Sequence, residues 1–217
     1  MIMHEIEDLS IGGSLKFKGP VKFRRIEIAG SVSIEGSADG KELEISGSAR
    51  ITGSLKADRV EVGGSIRIGE SCECGSLEIM GTAIIGGQLK SGRVEVAGRA
   101  EAETVESGTL EVSGKLVSSD IRAREVTIGK DSRIKGTITC GSIRIEKRGE
   151  AEDVYADRVE MERDAECRLV ECNEIRVERN AEIGELRYAV KAEISPDAEV
   201  EKVTKIEKVS RVFPDEK

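Results

Sequence analysis

The chain has 217 residues, 38% apolar, 35% charged and only 2% aromatic, with a net charge of −8. No Trp, two Tyr and three Phe exclude a core built on large aromatic anchors. No apolar run approaches the roughly 20 residues needed to span a bilayer, no basic-then-apolar leader opens the sequence, and the acidic balance argues against nucleic acid, which needs a basic face.

After a short N-terminal tail, residues 1–8, the sequence repeats. The stretch LEISGSARITGSLKADR from Leu43 to Arg59 recurs as VEVGGSIRIGESCECGS from Val60 and as LEIMGTAIIGGQLKSGR from Leu77. Earlier units start at Leu9 and Ile26, and later ones at Val94, Leu110, Val126, Ile143, Val159 and Ile175, with a weaker one at Ala192. Twelve units of mostly 16 or 17 residues thus fill 9–205 without a linker, which predicts one solenoid domain.

Within a unit, apolar or small residues occupy positions 1, 3, 7, 9, 13 and 15, for example Leu43, Ile45, Ala49, Ile51, Leu55 and Ala57. Alternation of this kind is strand periodicity. Three inward pairs per unit predict three short strands around a triangular cross-section. Stacked units place each inward side chain about 4.8 Å over its equivalent, so Val60 is expected between Leu43 and Leu77, and Ile45, Val62 and Ile79 in one buried column. Coils of 16 and 17 residues break the hexapeptide rule of left-handed β-helices. The fold predicted is all-β, a right-handed triangular β-helix of about twelve coils.

Position 5 is Gly in seven consecutive units, Gly13, Gly30, Gly47, Gly64, Gly81, Gly98 and Gly114. A repeated corner glycine points to a backbone with φ > 0. Later units carry Lys130, Lys147, Arg163 and Arg179 there, with Glu146, Glu162 and Glu178 before the last three, each Glu expected to offset its neighbour. Residues 9–142 are accordingly Gly-rich and 143–205 charge-rich; residues 1–142 hold 22 of the 24 Gly. Position 2 supplies an acidic flank of Glu27, Glu44, Glu61, Glu78, Glu95 and Glu111, partly neutralised by Arg59 and Arg93.

Catalytic chemistry is not legible. The single His, His4, precedes the first full unit, so neither a His general base nor a three-His zinc site fits the repeat. No phosphate-cradling loop of the P-loop type occurs. Five Cys at irregular spacing read as reduced thiols, and the C-x-C of Cys72 and Cys74 as small inward rungs. No cofactor and no metal is expected.

A solenoid leaves an open edge at each end. Apolar residues gather at both: Leu15, Phe17, Val21 and Phe23 in the first unit, and Ile206, Val209, Val212 and Phe213 in the C-terminal cap or tail, 206–217. The segment after residue 195 reads equally as a last coil or as an amphipathic helix. These two clusters are the candidate polymerisation surfaces.

The pattern V-x-V-x-G-x-[AIV]-x-I-x-G-x-L-x-A, as in Leu43 to Ala57 and Val60 to Cys74, resembles the bactofilins, polymer-forming cytoskeletal proteins built on a right-handed triangular β-helix. The similarity runs from Leu9 to about Ile183; the charge-rich last third departs from the usual pattern. The resemblance implies a non-enzymatic scaffold that assembles with itself, end to end, into nucleotide-independent filaments. It places the protein in the cytoplasm, at the inner face of the membrane where a membrane surface or scaffold clients are partners. The competing reading is a monomeric or small-oligomer binding module that presents a charged flank.

Overall fold

Strands in the computed structural model, which describes residues 3–213, lie parallel on equivalent strands about 17 residues away. The described residues form an all-β parallel solenoid of about twelve turns, with no helix among them. By its internal contacts the chain divides into two compact units at Glu106/Ser107.

In the first unit β1 (His4–Ile11), β2 (Ser14–Phe17), β3 (Val21–Ile28), β4 (Ser31–Ile34) and β5 (Ala38–Ile45) begin an alternation of eight- and four-residue strands. It continues through β6 (Ser48–Ile51), β7 (Leu55–Val62), β8 (Ser65–Ile68) and β9 (Cys72–Ile79) into the longer β10 (Thr82–Val96). β7 shows how one strand serves two faces. Leu55 and Ala57 point in, Asp58 and Arg59 both point out, and Val60 and Val62 point in again. Two successive outward residues bend the strand around a corner, and with Ile66 and Ile68 of β8 the coil has three inward pairs. Leu43 pairs with Val60 and Val60 with Leu77, while Ile45, Val62 and Ile79 stack in register with none of their surface exposed. Aliphatic rungs at this spacing fill the interior, which leaves little room for aromatic rings and accounts for their scarcity.

The glycine column has a different cause from the one the sequence suggests. Among the glycines of the described residues, positive φ occurs at Gly19, Gly36 and Gly136, none of them in the column. The column answers a close approach between coils instead. A Cβ on Gly47 would lie 2.0 Å from the Gly30 carbonyl oxygen, and one on Gly64 1.9 Å from that of Gly47. Gly13, on the first described turn, has nothing within 4 Å of that position.

β11 (Arg99–Val112) contains the boundary between the units. The second unit holds β12 (Lys115–Ile128), β13 (Arg133–Ile145), β14 (Glu150–Met161), β15 (Glu166–Val177), β16 (Glu182–Ile194) and β17 (Glu199–Lys205). Its corners are built with side chains. Asp131, Arg148, Asp164 and Asn180, each just after the basic residue of its corner, take left-handed φ values of 58°, 56°, 60° and 56°. That conformation costs a non-glycine residue roughly 1–2 kcal/mol, and polar bonds between corners offset it. The Glu146 carboxylate accepts the Lys130 N–H at 3.2 Å, Glu162 that of Lys147 at 3.2 Å, and Glu178 that of Arg163 at 3.3 Å. Arg148 donates to Asp131 at 2.5 and 2.7 Å and holds that carboxyl below its ordinary value. These glutamates thus satisfy backbone donors of the turn before their own.

Of the region after residue 195, open between coil and helix in the sequence, Glu199–Lys205 is strand: β17 pairs with β16 through Ile183–Val200 and Leu186–Val203, and residues 206–213 are neither strand nor helix.

Candidate functional site

The N-terminal edge is formed by β1 and β2. β1 starts at His4, five residues before the first full repeat, and lies in register on β3 with His4 opposite Val21 and Ile6 opposite Phe23. Val21 and Phe23 are therefore covered, at 1% and 6% exposure. Phe17 is also buried, its ring 5.4 Å from that of His4. Leu15 remains exposed at the edge, with half-buried Ile6 and Leu9 on β1. The Nε2 atom of His4 is buried without a hydrogen-bond partner. Glu5, Glu7 and Asp8 on β1 point outward, and Asp8 pairs with Arg24.

The acidic flank is a register-true ladder in the first unit. Glu27, Glu44, Glu61, Glu78 and Glu95 pair in succession; Glu111, exposed, falls beyond the unit boundary. Carboxylates about 4.8 Å apart repel by roughly 1 kcal/mol per pair even in water. Arginines two residues earlier relieve this. Arg59 pairs with Glu61, and Arg93 donates to Glu95 at 2.5 Å. Arg25, which sequence reasoning passed over, serves three acids: Glu27 at 2.6 Å, and Glu42 and Glu44 each at 3.6 Å. The flank is a charge-paired surface more than a bare anionic stripe.

At the other end β17 is the last strand among the described residues, with half-buried Ile194 and Val200 and a half-exposed Val203. Ile206 keeps one ladder bond, its N–H to the Tyr188 carbonyl at 2.9 Å. The chain then turns back along the side of the second unit. Val209 is buried, at 5% exposure, the Ser210 N–H donates to Glu171, and the Arg211 guanidinium lies 5.0 Å from the Tyr155 ring centre. Arg211 also approaches Asp120 at 3.7 Å. Val212 is exposed and Phe213 half-buried. No periodic signal in the sequence marks this return.

All five cysteines are free and buried. Burial pushes the thiols of Cys140, Cys167 and Cys172 up to about 12 from an ordinary 9.0. Cys72 is raised by its hydrogen bond with Cys74 and then by burial, and Cys74 is lowered by the same bond. A raised thiol pKa stabilises the folded state below the unfolded value and loses that contribution as pH climbs towards the folded one. The melting temperature should fall from pH 9 to pH 12, and a Cys140→Ala/Cys172→Ala variant should fall less steeply over that window. Parallel curves for the two proteins would refute the assignment. Among the described residues no group of three or more His, Cys, Asp or Glu is placed to hold a metal ion, and no helix is long and apolar enough to cross a membrane.

The fold and these surfaces define a parallel β-solenoid whose distinctive groups lie on its edges and flanks. Residues 7–106, nearly the whole first unit, match the family model described as bactofilin, polymer-forming cytoskeletal. The match ends where the second unit begins. No curated protein and no solved structure was found to match the chain.

Proposed function

We propose that the protein is a non-enzymatic scaffold that assembles end to end into nucleotide-independent filaments. The observation that carries the reading is the N-terminal edge: β1 and β2 expose the open side of a parallel sheet over an apolar column, with Leu15 uncovered. An unpaired edge of this kind is a template for a further strand. The bactofilin match over residues 7–106 supports the reading, because that family is described as polymer-forming. Leu15 and Phe17 on β2, with Val21 and Phe23 one turn in beneath His4 and Ile6 of β1, form one proposed contact. Val200, Val203 and Ile206 form the other. Contact of like ends gives a filament without polarity, and contact of unlike ends a polar one. Five free thiols suit a reducing compartment such as the cytoplasm. A membrane surface or scaffold clients at its inner face are the proposed further partners.

Pelleting and negative-stain microscopy of purified protein, with EDTA present and nucleotide absent, test the proposal. Filaments that form above a critical concentration are expected. Protein that stays monomeric over a wide concentration range would overturn it and give its place to the charged-flank binding module.

A further inference from the structure

In the second unit one outward row behaves unlike the others. Thr139, Tyr155 and Glu171 follow one another in register, and each lies between two inward-pointing residues, as Glu171 does between Val170 and Cys172. Alternation sends these side chains to solvent, yet Thr139 is 7% and Glu171 only 3% exposed. The returning segment Ile206–Phe213 accounts for the cover over Glu171. Its Ser210 N–H reaches a carboxylate that also accepts from Arg187 at 3.4 Å, Val209 is buried, and Arg211 lies over Tyr155. A buried carboxylate needs such partners, since desolvation without them costs several kcal/mol. Ser210, Arg211 and Val212 form one wall of a groove of about 660 Å³ whose other wall includes Asp120, Arg122, Thr137 and Thr139.

We propose that this groove is a recognition site for an extended basic–apolar peptide of the pattern Lys208-Val209-Ser210-Arg211-Val212, and that a second copy of the chain supplies that peptide when the chain's own segment is displaced. Every copy carries both groove and ligand. The segment is held by few groups, its Lys208, Ser210, Arg211 and Val212 being exposed, so it can exchange. Asp120 and Glu171 suit its positive charge, and the Tyr155 ring face suits a guanidinium. The resulting contact is lateral, on a flank, and is independent of the edge contacts of the proposed filament.

Two full-length variants test this. Val209→Asp/Arg211→Glu has a sound groove and a disabled segment; Tyr155→Ala/Glu171→Gln has a sound segment and a disabled groove. Circular dichroism checks that both fold. A fluorescent synthetic peptide of residues 206–213 should bind the first variant saturably. It should bind at least tenfold more weakly to wild type, whose groove is occupied, and to the first variant with Tyr155→Ala/Glu171→Gln added. The immobilised first variant should capture the second variant but retain itself at least tenfold less. Edge contacts are common to all these chains, so a failure of filament formation leaves the comparison intact. Absence of saturable peptide binding to the folded first variant, binding indifferent to Tyr155 and Glu171, or equal capture of both chains would each overturn the proposal.

Discussion

Val62→Asp is expected to unfold the first unit or cost it more than about 4 kcal/mol, the range reserved for changes that bury an unpaired charge. Val62 has none of its surface exposed and lies between Ile45 and Ile79 in the same column. A carboxylate there meets methyl groups above and below and finds no donor, because the ladder N–H groups run along the sheet and not into the interior. Glu61→Ala, one residue earlier, points outward and gives up a partly exposed ion pair with Arg59; such pairs are worth roughly 0–1 kcal/mol. Thermal melts of the two variants beside wild type should therefore differ sharply, with a fall of roughly 10 °C or more for Val62→Asp and little change for Glu61→Ala. Comparable melts for the two substitutions would mean that the inward register is wrong.

Leu15→Arg is expected to raise the critical concentration for assembly at least tenfold while the solenoid stays folded. Leu15 lies on β2, in the first described turn, with 37% of its surface exposed, so a longer charged side chain can extend into solvent in the free chain. In an end contact the same guanidinium would be carried into an apolar joint. An interaction weaker by about 1.4 kcal/mol already shifts an equilibrium tenfold. Phe17, buried against His4, suits this test less well, because its replacement by a charge would disturb the first turn itself. At the opposite edge Val203→Arg tests the second surface by the same reasoning, since Val203 is half exposed on β17. Sedimentation with circular dichroism on each variant reads assembly and folding separately. Unchanged pelleting by both variants would remove the edges from the proposed assembly.

Coil architecture follows from the sequence because it rests on local alternation repeated at a fixed interval. The third unit placed Leu43, Ile45, Ala49, Ile51, Leu55 and Ala57 inside, and all six are buried. The period sets which side chains face in, and burial of those side chains holds successive coils in register. The acidic ladder was legible for the same reason, as was its relief by Arg59 and Arg93 two residues ahead. Arg25 sits at the same offset before Glu27 and could have been read by the same rule.

What the sequence left open depends on relations between coils. The glycine column was visible, but its cause was not. A carbonyl oxygen 2.0 Å from a would-be Cβ belongs to the preceding turn, and the distance exists only once the turns are stacked. The left-handed corners at Asp131, Arg148, Asp164 and Asn180 likewise draw on a carboxylate or guanidinium from a neighbouring turn. Farthest from local reading is the return of residues 206–213. The bond from Ser210 to Glu171 joins groups 39 residues apart. Local pattern marks Glu171 as an outward, solvated acid like many others in the chain, and only a segment outside the repeat makes it buried. Periodicity fixes the direction of a side chain relative to its own strand, whereas what covers that side chain is set by where a distant, aperiodic segment finds hydrogen-bond and charge partners.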